Sequence, residues 1–226
     1  IVGVKYSTKR PKADQSPFES IESGMASCTG LSILLVDACR SVGIPARFVG
    51  TPLWYNNSGN HSWVEIWDKE WHFTGAAEPT GDRLNEAWFL SHANKATEGD
   101  MDYGIFAATW EDTELYFPMT WLPNEKSYNA IDVTTRYTIS IIDQEKIPIR
   151  VRVLDSTGKR TEVRVAIIGI DGHIKEGISK GDSFDANDHL TFMLPKGNTF
   201  DIQVSNITRT INVINEELIE IKIQGD

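Results

Sequence analysis

The sequence predicts an α+β domain over residues 1–133 followed by an all-β domain over residues 134–226. Three observations carry that division. A single long helix with both ends marked lies among short strands between Ser27 and Gly43. All seven tryptophans fall before residue 122, five of them between Trp54 and Trp88. From Arg136 onward, short alternating segments recur at strand-like intervals with turn residues between them and no helical spacing.

The helix comes first because the remaining elements are placed around it. Ser27 suits an N-cap, since its hydroxyl can accept from the free backbone N–H groups of the first turn. Leu31, Leu34, Leu35, Ala38 and Val42 recur at helical spacing and predict the buried stripe. Gly43 suits a left-handed C-cap, and Pro45 prevents continuation. Cys28 then falls in the first turn, where the helix dipole favours a thiolate. Position alone suits a small buried residue there equally well. Cys39, eleven positions on, lies ~16 Å away along the helix axis, too far for a disulfide. It reads as packing.

Before the helix, residues 1–26 read as an extended lead-in and a short helix around Pro17–Ser23, broken at Gly24. The sequence starts at Ile1 rather than Met, so part of the natural N-terminus is expected to lie outside it. After the helix, Ala46–Gly50 begins a strand and Asn56–Asn60 is a polar loop. His61–Trp67 and Glu70–Thr74 read as a hairpin around Asp68-Lys69. A helix over Leu84–Ala96 after an Asp82 cap, strands at Gly104–Trp110 and Leu115–Trp121, and a linker at 122–133 complete the first half. Eight strands are expected in the second: Tyr137–Ile142, Ile149–Leu154, Glu162–Ile168, His173–Ile178, Leu190–Leu194, Phe200–Val204, Thr208–Val213 and Leu218–Ile223. That rhythm predicts a β-sandwich of immunoglobulin-like or prealbumin-like kind, without a Cys…Trp…Cys core.

Composition narrows the partners. The net charge of −10 and the absence of a basic run exclude a nucleic-acid surface. No apolar stretch is long enough to span a membrane. No loop has calcium-ligand spacing, and Asp100, Asp102, Glu111, Asp112 and Glu114 read as solvated surface. Neither metal nor cofactor is expected. In the second half, His173 and His189 have no evident partners.

A cysteine nucleophile needs a base and a group to orient that base. His61 opens a strand directly after a polar loop, whereas His72 lies on the paired strand and His92 late in the short helix. With a two-residue turn at Asp68-Lys69, Trp67 pairs with Glu70 and His61 falls opposite Ala76. Thr74, Ala76 and Glu78 then share the face of His61, and Glu78 is the nearest carboxylate, provided Gly75 lets the strand bulge. By itself, a histidine at a strand start is more often solvated or structurally satisfied.

Cys28 at a capped helix start, the phrase Gly43-Ile44-Pro45-Ala46-Arg47, the His61-x-Trp63-x-Glu65 strand and the returning strand that leads to Glu78-Pro79-Thr80 together resemble the transglutaminase-like superfamily. The likeness spans about residues 15–80. It implies a transglutaminase-like (papain-like) domain ahead of the sandwich, with Cys28 as nucleophile and His61 as general base. The family's third member is an aspartate followed by Pro-Thr. At its usual offset from the strand tryptophan stands Gly75, while the Pro-Thr context points to Glu78; Thr74 is the fallback orienter. Gln15, the only upstream Gln, is the implied side-chain oxyanion donor. The family forms a thioester from an amide carbonyl and passes the acyl group to an amine or to water.

Two readings follow. The first is a thiol acyltransferase or cysteine hydrolase (protease or transglutaminase type) acting on a peptide, protein or glycan-linked amide. The second is a non-catalytic binding module that presents Trp54, Trp63 and Trp88 to a peptide or glycan polymer. An appended sandwich favours an exported, bacterial-style protein, periplasmic or extracellular.

Overall fold

The computed structural model describes residues 2–78, 81, 83–138, 146–169, 172 and 174–224, and it divides into two compact units, 1–139 and 140–226. In the first unit, β1 (Lys5–Tyr6) runs parallel to β2 (Met25–Ala26), with α1 (Pro17–Ser23) between them in sequence. A capping box starts α1: Glu19 N–H donates to Ser16 Oγ and Ser16 N–H to Glu19 Oε2.

The helix marked in the sequence is α2 (Cys28–Ser41). Ser27 Oγ accepts the Gly30 N–H at 3.1 Å, and Gly43 takes the left-handed conformation at φ 81°. Its buried face keeps Leu31 of the expected stripe, with Leu34 and Leu35 half-buried, but otherwise differs. Cys28, Thr29, Ser32, Val36 and Cys39 are buried, whereas Ala38 is exposed and Val42 is 72% exposed. The helix lies against a sheet through small residues, and small polar side chains such as Thr29 and Ser32 are invisible to a search for apolar periodicity.

That sheet consists of β3 (Ala46–Thr51), β4 (His61–Asp68), β5 (Glu70–Thr74), β6 (Phe106–Ala108) and β7 (Ala130–Asp132), between which fall α3 (Leu90–Ala93) and, after β7, α4 (Thr134–Thr138). The order is β5-β4-β3-β6-β7, antiparallel throughout. Alternation along the strands separates two cores. Ala46 and Val64 pack with Val36 and Cys39 of α2, while Val49, Trp63 and Phe73 join Trp54 and Phe89 in an aromatic core.

Several expectations change here. Residues 122–133 are not a linker: β7 lies within them, and Ala130 and Val133 are buried. Leu115–Trp121 makes only an isolated bridge, Tyr116 to Asn129, and of the expected Leu84–Ala96 helix only α3 forms. Asp82 lies outside the described residues. The turn after β4 also differs, because Asp68 pairs with Glu70 and Lys69 alone takes a left-handed φ of 65°. The register shifts by one, pairing Trp67 with Trp71, Ile66 with His72 and Val64 with Thr74. Thr74 and His72 therefore lie on the α2 side of the sheet, opposite His61.

In the second unit, β8 (Lys146–Leu154), β9 (Arg164–Gly169), β10 (Ile174–Ile178), β11 (Leu190–Pro195), β12 (Thr199–Val204), β13 (Ile207–Asn212) and β14 (Glu217–Lys222) form two sheets, β10-β9-β12-β13 and β11-β8-β14. Strands β8 and β14 run parallel; the other pairs are antiparallel. Inward residues of both sheets, among them Val151, Ile167, Leu194, Ile202 and Ile219, build one core, as expected for a sandwich. Of the strand expected at Tyr137–Ile142, Tyr137 and Thr138 belong instead to α4, and 139–142 lie outside the described residues, as do Asp171 and His173. Ile202 is fully buried, so Ile202→Ala should cost about 2–5 kcal/mol, read as a loss of stability in urea unfolding; a loss below about 1 kcal/mol would disprove a close-packed sandwich core at this position.

Candidate active site

Cys28 enters the site because Ser27 stops the backbone of β2 and starts α2, which puts the thiol on the first helical turn. His61 enters as the first residue of β4. The two elements are tied together one residue further on, where Thr29 Oγ1 and Ser62 Oγ lie 3.1 Å apart in a buried hydrogen bond. Neither Thr29 nor Ser62 was singled out from the sequence. Their only signal there is adjacency to Cys28 and His61.

The imidazole is walled by aromatic rings: Trp88 at 5.0 Å, Phe89 at 5.1 Å, Trp63 at 6.0 Å and Trp54 at 6.1 Å between centroids. His61 is 1% exposed and Cys28 7%. Nε2 of His61 lies 3.2 Å from Glu78 Oε1, whose side chain is also buried. Nδ1 is buried and has no hydrogen-bond partner among the described residues, which leaves it as the ring nitrogen free to serve the Cys28 thiol. Burial alone would lower the imidazole pKa. The Glu78 carboxylate, and with it the Cys28 side chain, outweigh it and hold the pKa well above 6.5.

Glu78 reaches His61 by a different route from the one its sequence position suggested. Under the observed register, Gly75, not Thr74 or Ala76, continues the face of His61. The strand ends at Thr74 and the chain bends through residues 76–78, which returns the Glu78 carboxylate over Gly75. Pro79 and Thr80 lie outside the described residues.

The other candidates are placed as follows. Gln15 is fully buried, and its Nε2 donates to Glu19 O, Ser23 Oγ and Met25 O, which fastens α1 to β2. Trp54 and Trp63 are 1% and 0% exposed and belong to the core rather than to an open groove. Trp88 is half-buried, with its Nε1 buried and lacking an acceptor among the described residues. His72 bonds Asn85 through Nδ1 at 2.8 Å, and His92 packs on Trp54 at 5.4 Å. In the second unit, burial and Arg160, Arg152 and Arg150 push His189 down to about 4. Burial pushes the Cys39 thiol up.

Behind the site, a buried polar network secures β4. Glu65 is 1% exposed and accepts from Arg47 at 2.6 Å, from the Tyr137 hydroxyl at 2.7 Å and from Arg136 at 3.2 Å. Trp63 Nε1 donates to the Tyr137 hydroxyl at 2.8 Å. Burial, and next the Glu65 carboxylate, raise the Tyr137 pKa, so its hydroxyl stays protonated and can donate. The ring beside His61 is thus anchored through tyrosine to a salt bridge.

A concavity of about 470 Å³ lies between α2 and the segment after β6, lined mainly by apolar groups including Phe48, Phe117, Met119 and Trp121. No cluster of three or more His, Cys, Asp or Glu suited to a metal occurs among the described residues, and no described helix is long and apolar enough to cross a membrane.

Residues 2–76 match the family model of the transglutaminase-like superfamily. No curated protein matches the chain. Among solved structures, the C-terminal fragment of pilus adhesin SpaC from Lactobacillus rhamnosus GG is 12% identical over 75% of this chain and 74% of that one, with a TM-score of 0.25. The Bacillus anthracis TIE protein is 14% identical over 80% of this chain and 30% of its own, at 0.28. The group B streptococcus pilus 2b backbone protein is 10% identical over 78% of each chain, with a TM-score of 0.25. Likenesses this slight bear on neither fold nor function.

Proposed function

We propose that the first unit is a cysteine-dependent hydrolase or acyltransferase acting on an amide of a peptide, protein or glycan-linked substrate, with Cys28 as nucleophile, His61 as base and Glu78 as its orienter. The observation that carries this reading is the buried His61–Glu78 pair beside a thiol on the first turn of a capped helix. The family match over residues 2–76 supports the general chemistry.

In this mechanism, His61 takes the Cys28 proton and Sγ attacks the amide carbonyl carbon. The carbon–nitrogen bond breaks as His61 returns the proton to the leaving amine, and a thioester remains on Cys28. An incoming amine or water gives its proton to His61 and attacks the thioester. The carbon–sulfur bond then breaks and the thiol reforms. Glu78 holds the ring and stabilises the imidazolium. The Cys28 backbone N–H is the natural first oxyanion donor. Gln15 Nε2 is already engaged with three acceptors, whereas Trp88 Nε1 is an unspent buried donor beside His61. An extracellular or periplasmic setting fits an enzyme carrying a β-sandwich.

Iodoacetamide near neutral pH, followed by peptide mapping, tests the assignment. Cys28 should be alkylated at least about tenfold faster than Cys39. Equal rates, or faster labelling of Cys39, would refute catalysis and favour the reading of this unit as a binding module.

A further inference from the structure

Resting on that reading, the geometry points to Gly75 as a positioning residue: we infer that Gly75 and Glu78 together replace a single acidic residue at position 75. A Cβ built at Gly75 meets Glu78 Oε1 at 2.3 Å, Cδ at 2.9 Å and Cγ at 3.1 Å. These are its three nearest neighbours, so the side chain missing from Gly75 is the space that the Glu78 carboxylate occupies. The same Oε1 lies 3.2 Å from His61 Nε2.

The 2.3 Å separation has a chemical meaning. In an aspartate, one carbon–carbon and one carbon–oxygen bond put each carboxylate oxygen about 2.4 Å from its own Cβ. An Asp at position 75 can therefore place an oxygen where Glu78 Oε1 stands, on the His61 face that the strand register assigns to this position. Gly75 does not have a positive φ, so its backbone accepts any L residue. What demands glycine here is the room required by Glu78.

The consequence separates function from stability. An alanine at 75 meets first the far end of a flexible side chain, which can swing aside at little cost to the fold. His61 then loses its partner.

The test uses the full chain with Gly75→Ala, Glu78→Ala and the double variant Gly75→Asp/Glu78→Ala. Three quantities are measured: the pH dependence of Cys28 alkylation by iodoacetamide, the titration midpoint of the His61 ring by NMR, and the unfolding midpoint. Gly75→Ala should behave like Glu78→Ala, with a lowered His61 midpoint and a Cys28 rate reduced about tenfold, while unfolding stays near that of the parent. The double variant should restore both the midpoint and the rate. If Gly75→Ala keeps the parental His61 midpoint, or if the folded double variant fails to regain it, the proposal is overturned. Should Gly75→Ala fail to fold, the double variant decides, because it lacks the Glu78 side chain that would clash. The NMR midpoint reads this geometry even if Cys28 is unreactive, so failure of the catalytic reading is distinguishable from failure of this one.

Discussion

Replacing His61 with alanine should slow acylation of Cys28 by p-nitrophenyl acetate about 10²–10⁴-fold, measured as release of p-nitrophenolate in a single turnover. The residue is the only histidine placed to serve the thiol among the described residues. His72 lies on the opposite face of the sheet and is bonded to Asn85, and His92 packs on Trp54. A rate within about threefold of the parent would remove His61 from the mechanism, because a positioned general base contributes far more. The pH behaviour of the parent carries a sign that can be checked. The folded-state pKa of His61 is raised above its ordinary 6.5, so the imidazolium formed when His61 holds the Cys28 proton persists to higher pH than in a free histidine. Its contribution to stability is fully present below 6.5 and is lost as pH rises through the raised value. His61→Ala should abolish that decline, with stability compared in urea across the same pH range.

Glu65→Ala should destabilise the first unit by about 3–5 kcal/mol, the largest stability effect expected of a single polar substitution here. The change strands the Arg47 guanidinium, whose side chain is only 11% exposed, and deprives the Tyr137 hydroxyl of its acceptor. Arg136→Ala should cost much less, since Arg136 is 39% exposed and water can replace it. Urea unfolding of the full chain measures both. A Glu65→Ala loss smaller than that of Arg136→Ala would show that the network does not hold β4. The effect should extend to the site, because Trp63 is tied to Tyr137 and its ring stacks beside His61. At low denaturant, where Glu65→Ala remains folded, Cys28 should therefore also alkylate more slowly.

The parts of this protein that the sequence determined by itself are those governed by local chemistry. Ser27 and Gly43 delimit α2 because capping needs only a hydroxyl near a free N–H and a residue tolerant of positive φ. The seven strands expected between Ile149 and Ile223 form, since alternation and turn residues act over a few positions. Placing Cys28 on the first helical turn and His61 at the head of a strand required nothing more.

Only the tertiary structure decided what depends on contacts distant in sequence. The buried face of α2 was set by the sheet beneath it, which selected Thr29, Ser32, Val36 and Cys39 over the exposed Ala38 and Val42. A single left-handed residue, Lys69, moved the hairpin register by one and carried Thr74 to the far face, since side chains alternate with period two. Ala130–Asp132 pairs as β7 although its turn-rich surroundings resemble a linker, because the exposed edge of β6 supplies a partner. The His61–Glu78 contact belongs to the same class. It rests on a bend after Thr74 and on space left at Gly75, and neither is encoded in any spacing that a strand would keep.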